Sequence, residues 1–363
     1  MNSSLLPLVF LHSIGFTQKA LSRIFATNEN YGEFYAALSH ETLRNLRFQD
    51  EKIRSILEAK QKLDTAKISG LIEKLDVQII IITNPLYPEL LGQTPVCPYF
   101  LYVRGTLPTH TDLISVVGSR KNTPYSRTAL SEILPELVRK GYGIISGGAY
   151  GVDSLAHKTA LEHGGYTLAV FGTGIDRCYP KENKELFNQV LVSGGALVSA
   201  FPIGMGPEPY NFPIRNEIVA GISKGTLVTE AAEKSGTLIT AGLALDFGRD
   251  VFAIPGEITK TTSTGTNALI RDGQAKLVMD AMDILSEYET MTVVAEKIEV
   301  LRTEKFDDPI ERSIHGLLGQ GSLGISSIED ALGIDIATIA CKLSMMEVRG
   351  IIEMDIDGSY RVR

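Results

Sequence analysis

A chain of 363 residues with 44% hydrophobic content is long enough to bury a full core and to divide into two or three domains. Its formal net charge of −8, from 35 Lys and Arg against 43 Asp and Glu, excludes a uniformly basic surface, so a polyanion has to be met in a local groove. Three cysteines, Cys97, Cys178 and Cys341, stand far apart without CxxC spacing, which argues against a disulfide framework or a metal site of the zinc type.

Residues 1–10 carry no charged n-region and no small-residue cleavage site, and the apolar run 77–83 is far too short to cross a bilayer. No membrane partner and a cytoplasmic, reducing location are expected. From Leu5 to about Lys74 apolar residues recur at helical spacing, as in Leu21, Ile24 and Phe25 or Ile53, Ile56 and Leu57. This predicts an N-terminal helical domain over residues 1–76. Its turn at His12-Ser13-Ile14-Gly15 faintly resembles a helix-hairpin-helix, and a purely structural appendage fits equally well.

Over residues 77–286 short apolar runs alternate with helical stretches, the runs being 77–83, 113–117, 143–146, 167–171, 196–200, 226–229 and 251–254. Strands alternating with helices of this length predict βαβ units, hence an α/β fold with a doubly wound, mostly parallel sheet whose ligands sit beyond the strand C-termini. Residues 287–307 are charged, glycine-free and poor in aromatics, as in a linker. Helical patterns over 308–318, 327–332 and 336–349, then a hairpin of 351–356 and 360–363 about Asp357-Gly358, predict a winged-helix-like module over 308–363. That module holds five Lys/Arg against nine Asp/Glu, with only Lys342 and Arg349 on the recognition-helix candidate, which favours a protein contact over duplex DNA.

Five strand-end loops suit an anion. After 113–117 come Gly118, Ser119 and Arg120, then Asn122-Thr123-Pro124 to open a helix; glycine admits a close backbone approach, and the guanidinium can fork two phosphate oxygens. Gly147 and Gly148 in Ser146-Gly147-Gly148-Ala149-Tyr150-Gly151 can form an amide nest or simply permit tight strand-to-helix packing. The loop from Gly172 to Lys184 offers Arg177, Tyr179, Lys181 and Asn183, the mixture that holds a sugar-phosphate chain and stacks a base. Arg177 can instead pair with Asp176. Lys181 at a helix start opposes the dipole unless an anion compensates. The long loop from Phe201 ends in Phe212-Pro213-Ile214-Arg215-Asn216 at a helix start, and Ser235, Gly236 and Thr237 open another helix.

Rival chemistry is poorly served. Lys234-Ser235 is not the Gly-Lys-[Ser/Thr] of a P-loop, and Gly118 lacks GxGxxG spacing. A nucleotide-binding or nucleotide-hydrolysing enzyme stays as the alternative, because Glu230 and Glu233 lie near a glycine loop, although single carboxylates there usually cap helices. Asp153 and His157 stand at i,i+4 without further ligands, and Cys178 lies between Arg177 and Tyr179, which can lower a thiol pKa, but with no base. No catalytic residue, metal site or cofactor is expected.

The ordered blocks Gly118-Ser119-Arg120, Ser146-Gly147-Gly148 through Asp153, Gly172-Thr173-Gly174-Ile175-Asp176, Phe212-Pro213-Ile214-Arg215-Asn216, Ser235-Gly236-Thr237 through Ala241, Gly248-Arg249-Asp250 through Gly256 and Gly265-Thr266-Asn267 through Ile270 resemble the DprA/Smf family over residues 85–278. The resemblance implies an extended Rossmann-like fold, flanked by a SAM/helix-hairpin-helix-like front domain and a winged-helix-like tail. It further implies a homodimer that binds single-stranded DNA and loads the RecA recombinase in natural transformation. Family DNA contacts map to the Gly118 loop, the Gly147-Gly148 nest, the Lys181 region and the Arg215-Asn216 helix start. Glu217 departs from the family pattern, which often has a basic residue there.

Overall fold

Apolar strands that are hydrophobic on both faces have to be covered on both faces, and here they line up in one sheet of nine. The strands are β1 (Gln78–Ile81), β2 (Phe100–Gly105), β3 (Leu113–Val117), β4 (Gly143–Ser146), β5 (Thr167–Phe171), β6 (Ala196–Ser199), β7 (Gly225–Val228), β8 (Asp250–Ala253) and β9 (Lys276–Leu277). The structure, a computed structural model, describes residues 3–26, 30–108, 112–288, 308–319, 321–355 and 358–362. It comprises two compact units, Met1–Ile284 and Leu285–Arg363. Among the described residues, no helix is long and apolar enough to cross a membrane.

The sheet runs β1-β2-β6-β5-β4-β3-β7-β8-β9, parallel from β6 to β9 and antiparallel at β1, β2 and β6. Leu168, Ala169 and Val170 on β5 are fully buried, and each large apolar side chain buried in this way contributes roughly 1.5–3 kcal/mol. From β3 the chain builds outward through β4, β5 and β6, then returns to lay β7 on the other side of β3. The boundary between β3 and β7 is therefore a topological switch point, where the connections diverge to opposite faces and leave a crevice.

Two strands escape the sequence pattern. Phe100, Leu101, Tyr102 and Val103 of β2 are all buried, so the run has no alternation to betray it, and β9 is only two residues long.

The front helices are α1 (Leu6–Ser13), α2 (Gln18–Ile24), α3 (Tyr31–Ala36), α4 (His40–Asn45), α5 (Asp50–Lys62) and α6 (Thr65–Lys74). Thr17, Asn30, Ser39 and Asp64 cap α2, α3, α4 and α6 by accepting from backbone amides of the first turn. These helices do not form the separate domain expected for residues 1–76. Leu8, Ile53 and Ile72 share one core with Phe100, Tyr102 and Phe187, because the antiparallel flank of the sheet presents an apolar face that needs cover. His12 is buried at the end of α1, with Nδ1 2.9 Å from the Tyr102 hydroxyl, so the supposed hairpin turn is a packing element.

Helices α7 (Glu89–Gly92), α8 (Pro124–Arg139), α9 (Val152–Glu162), α10 (Lys184–Val192), α11 (Asn211–Ile222), α12 (Gly236–Asp246) and α13 (Thr264–Arg271) complete the first unit. The second holds α14 (Pro309–Leu318), α15 (Ile325–Leu332), α16 (Ile336–Val348) and the antiparallel pair β10 (Ile352–Met354) and β11 (Tyr360–Val362). Leu323 bridges to Tyr360, so the unit runs helix, bridge, helix, helix and hairpin. The cations at this last helix are spent internally: Lys342 of α16 bonds Asp308, and Arg349, the residue after it, bonds Glu311. Most of the expected linker, residues 289–307, and Asp357 of the expected turn lie outside the described residues.

Candidate functional site

Around the switch point, the loops after β3 and β4 and the first turns of α11 and α12 line an open cavity of about 450 Å³. Gly118, Ser119, Arg120, Gly147, Phe212, Arg215, Asn216, Ser235, Gly236 and Thr237 all line it. Segments more than 110 residues apart in the chain thus converge on one crevice, as the reversal of strand order requires.

Each wall has a local cause. Thr123 caps α8 through the Tyr125 amide, and Ser119 Oγ accepts from the Lys121 amide at 3.1 Å, so the loop after β3 is a tight turn that leaves Arg120 exposed. The Arg120 guanidinium lies over the Phe212 ring, 5.3 Å from its centroid. Phe212 also neighbours Tyr179, with centroids 5.8 Å apart. Together these rings form a half-exposed aromatic shelf beside the crevice. Gly151 sits at φ +77° where its backbone meets Ser119 and Arg120, so the second glycine loop props the first. Ser235 caps α12, its hydroxyl accepting from the Thr237 amide at 3.2 Å, while Gly236 stays exposed.

Arg215 behaves differently from Arg120. It is 5% exposed, its Nη1 lies 3.7 Å from Asp153 Oδ2 and donates to the Val170 carbonyl at 3.4 Å, and Gly147 has to lack a side chain to make room for it. Burial lowers its pKa and Asp153 opposes that shift, while burial raises the Asp153 pKa and Arg215 pulls it back. Arg215 thus forms the floor of the crevice, ion-paired with Asp153, while its buried Nε has no hydrogen-bond partner among the described residues.

Asn183 is buried, and its Nδ2 donates to the Gly148 carbonyl at 2.9 Å and to Ser154 Oγ at 2.8 Å, so it holds the glycine nest in shape. Gly148, at φ +66°, offers its carbonyl to that bond and does not line the crevice. Lys181 is exposed at the start of the turn before α10 and lines neither the crevice nor the shelf. Glu217 is absent from the lining as well, so its negative charge does not face the cavity.

Other candidates are resolved by their partners. Glu230 is buried and accepts from the Thr123 amide at 2.9 Å, the Thr123 hydroxyl at 2.7 Å and the Ser126 hydroxyl, which makes it an anchor for the start of α8. His157 is fully buried with Nδ1 2.7 Å from the Thr167 hydroxyl, and burial lowers its pKa to about 3. Cys178 has its thiol pushed up by burial, against the lowering that its neighbours suggest, and Arg177 pairs with Asp176 at 3.4 Å. Neither Asn183 nor Glu230 announces its role in sequence, since the groups they bond are distant along the chain.

A doubly wound sheet with a switch-point crevice, walled by helix starts, an exposed arginine and an aromatic shelf, defines the α/β class of the chain. The family model described as DNA recombination-mediator protein A matches residues 78–289, and the chain belongs to that family. It is 41% identical to the Smf protein of Escherichia coli over 60% of this chain and 58% of that one. It is 38% identical to the DNA processing protein DprA of Streptococcus pneumoniae over 63% of this chain and 79% of that one. The chain thus covers less than two thirds of the Escherichia coli relative's length. Among solved structures, the X-ray structure of Streptococcus pneumoniae DprA matches with TM-score 0.68 and 32% identity, covering 79% of this chain and 99% of that one. Helicobacter pylori DprA, whose structure concerns a single-stranded DNA binding mode, matches with TM-score 0.52 and 27% identity over 59% of this chain and 96% of that one.

Proposed function

We propose that this chain holds single-stranded DNA in the switch-point crevice and passes it to the RecA recombinase, acting as a homodimer in the cytoplasm without bond-breaking chemistry of its own. The observation that carries the reading is Arg120, exposed over the Phe212 ring and flanked by the helix starts of α11 and α12. A cation with no carboxylate partner among the described residues, beside an aromatic face, suits a phosphate next to a base, and helix amides suit the neighbouring oxygens. The family membership and the single-stranded DNA binding mode of the Helicobacter pylori protein support the same ligand. Gly118, Ser119, Gly147, Asn216 and Gly236 are the backbone and polar contacts of this reading, and Arg120 its principal charge. Lys181 serves as an outer contact at most.

The nucleotide-hydrolase alternative loses its best general base, because the Glu230 carboxylate already accepts three hydrogen bonds. The test is competition of unlabelled single strand and duplex against a labelled oligonucleotide, followed by RecA filament formation on protein-coated single strand. Single strand is expected to compete at lower concentration and RecA filaments to form sooner. Equal competition by duplex would refute the ligand, and unchanged filament formation would refute the hand-over.

A further inference from the structure

The crevice does not end at the aromatic shelf. Arg120, Gly147, Phe212 and Arg215 line both the crevice and a small adjoining hollow, whose far side is Tyr150 and Tyr179. Tyr150 in turn lines a third, larger cavity of about 710 Å³ between α8 and α9, together with Arg127 and Lys158. Tyr150 is thus the residue that the hollow beside the crevice and the outer groove share.

Arg127 and Lys158 are both exposed, and neither pairs with a carboxylate among the described residues. Glu162 is the acid that also lines the groove, so its titratable lining stays cationic by one charge. Tyr150 stands between the two cavities, 44% exposed, and its hydroxyl donates to the Glu182 carboxylate, which fixes the ring in place. Asn122 and Ser131 line the same wall, with the Ser131 hydroxyl donating to the Thr128 carbonyl at 2.8 Å and Asn122 Nδ2 donating to the Thr123 carbonyl at 3.3 Å.

We propose that single-stranded DNA leaves the crevice over the Tyr150 ring and continues along the α8–α9 groove, where Arg127 and Lys158 each take a backbone phosphate. This rests on the crevice reading above and assigns the exit path of the same strand. A ring at the junction gives an unstacked base a surface, and two unpaired cations on neighbouring helices suit successive phosphates. Because the contacts are to the backbone, the extension adds affinity without sequence preference.

The experiment compares two oligothymidylates, one of about six nucleotides that occupies only the crevice and one of about thirty that can follow the whole path. In the full chain, Arg127→Ala with Lys158→Ala is expected to weaken the long oligonucleotide about tenfold and lower its salt slope by roughly 1.4, with the short one unchanged. The single variants Arg127→Gln and Lys158→Gln, each expected to lower the slope by about 0.7, keep the test open should the double variant fold poorly. Arg120→Ala is the internal control and weakens both lengths. If the groove variants leave the long oligonucleotide untouched while Arg120→Ala weakens both, the exit path is wrong and the crevice stands. If Arg120→Ala weakens neither, the crevice reading falls and the path falls with it.

Discussion

Replacing Arg215 with methionine removes a guanidinium that is 5% exposed and lies 3.7 Å from an Asp153 carboxylate that is 11% exposed. Little water reaches the pair to screen it, and breaking a buried pair from one side costs about 3–5 kcal/mol, because the remaining charge is left uncompensated. The lower end applies here. Asp153 keeps its bond from the Ala149 amide at 3.2 Å, and burial already raises its pKa, so it can escape part of the penalty by taking up a proton. With a urea dependence of about 3 kcal/mol per molar, a loss of about 3 kcal/mol lowers the unfolding midpoint by about 1 M. The chain has no tryptophan, so far-ultraviolet circular dichroism is the suitable probe. Arg120→Ala, at an exposed site, is expected to change stability by less than about 0.5 kcal/mol and to lower the single-strand salt slope by about 0.7. Adding Asp153→Leu to Arg215→Met is expected to recover much of the lost stability, since a buried ion pair is often replaceable by apolar residues. Should Arg215→Met unfold at the parent's midpoint yet lose affinity and salt slope as Arg120→Ala does, Arg215 would be a phosphate ligand and the burial argument would be refuted.

Acid should destabilise the fold through His12 and His157, whose pKa values burial lowers from 6.5 to about 3. Below pH 6.5 the unfolded chain takes up protons that the folded chain refuses, so stability falls as pH drops, by about 2.7 kcal/mol per unit for the two together. Asp153, shifted upward, works in the opposite sense and offsets part of this as it protonates. Urea midpoints measured at several pH values should fall on acidification and flatten in the His12→Asn/His157→Gln variant; a rise would contradict the assignment. Gly151→Ala places a Cβ about 2.7 Å from the Arg120 backbone at a φ of +77°, so it should cost about 1–3 kcal/mol and weaken single-strand binding, readable by melting and anisotropy. Truncation after residue 288 should leave duplex affinity unchanged in a gel-shift titration, because Lys342 and Arg349 are engaged by Asp308 and Glu311.

What the sequence determined by itself is local. Period and punctuation placed six parallel strands from β3 to β8 almost to the residue, the glycine turns at their ends, and the helix and hairpin order of the tail. These features follow from neighbours within a few positions, where backbone sterics and amphipathic spacing decide the outcome. Tertiary structure alone decided which side chains the converging loops leave in water. Arg120 and Arg215 look alike in sequence, each close to the start of a helix beyond a strand end, yet one lies over Phe212 at the surface and the other beneath Gly147 against Asp153. The partners of Asn183 and Glu230 are distant in the chain for the same reason, and the front helices join the sheet's core because β2 arrives to offer them an apolar face. Burial and pairing arise where distant segments cross, so only the packed sheet could separate the arginine that faces the crevice from the one that supports it.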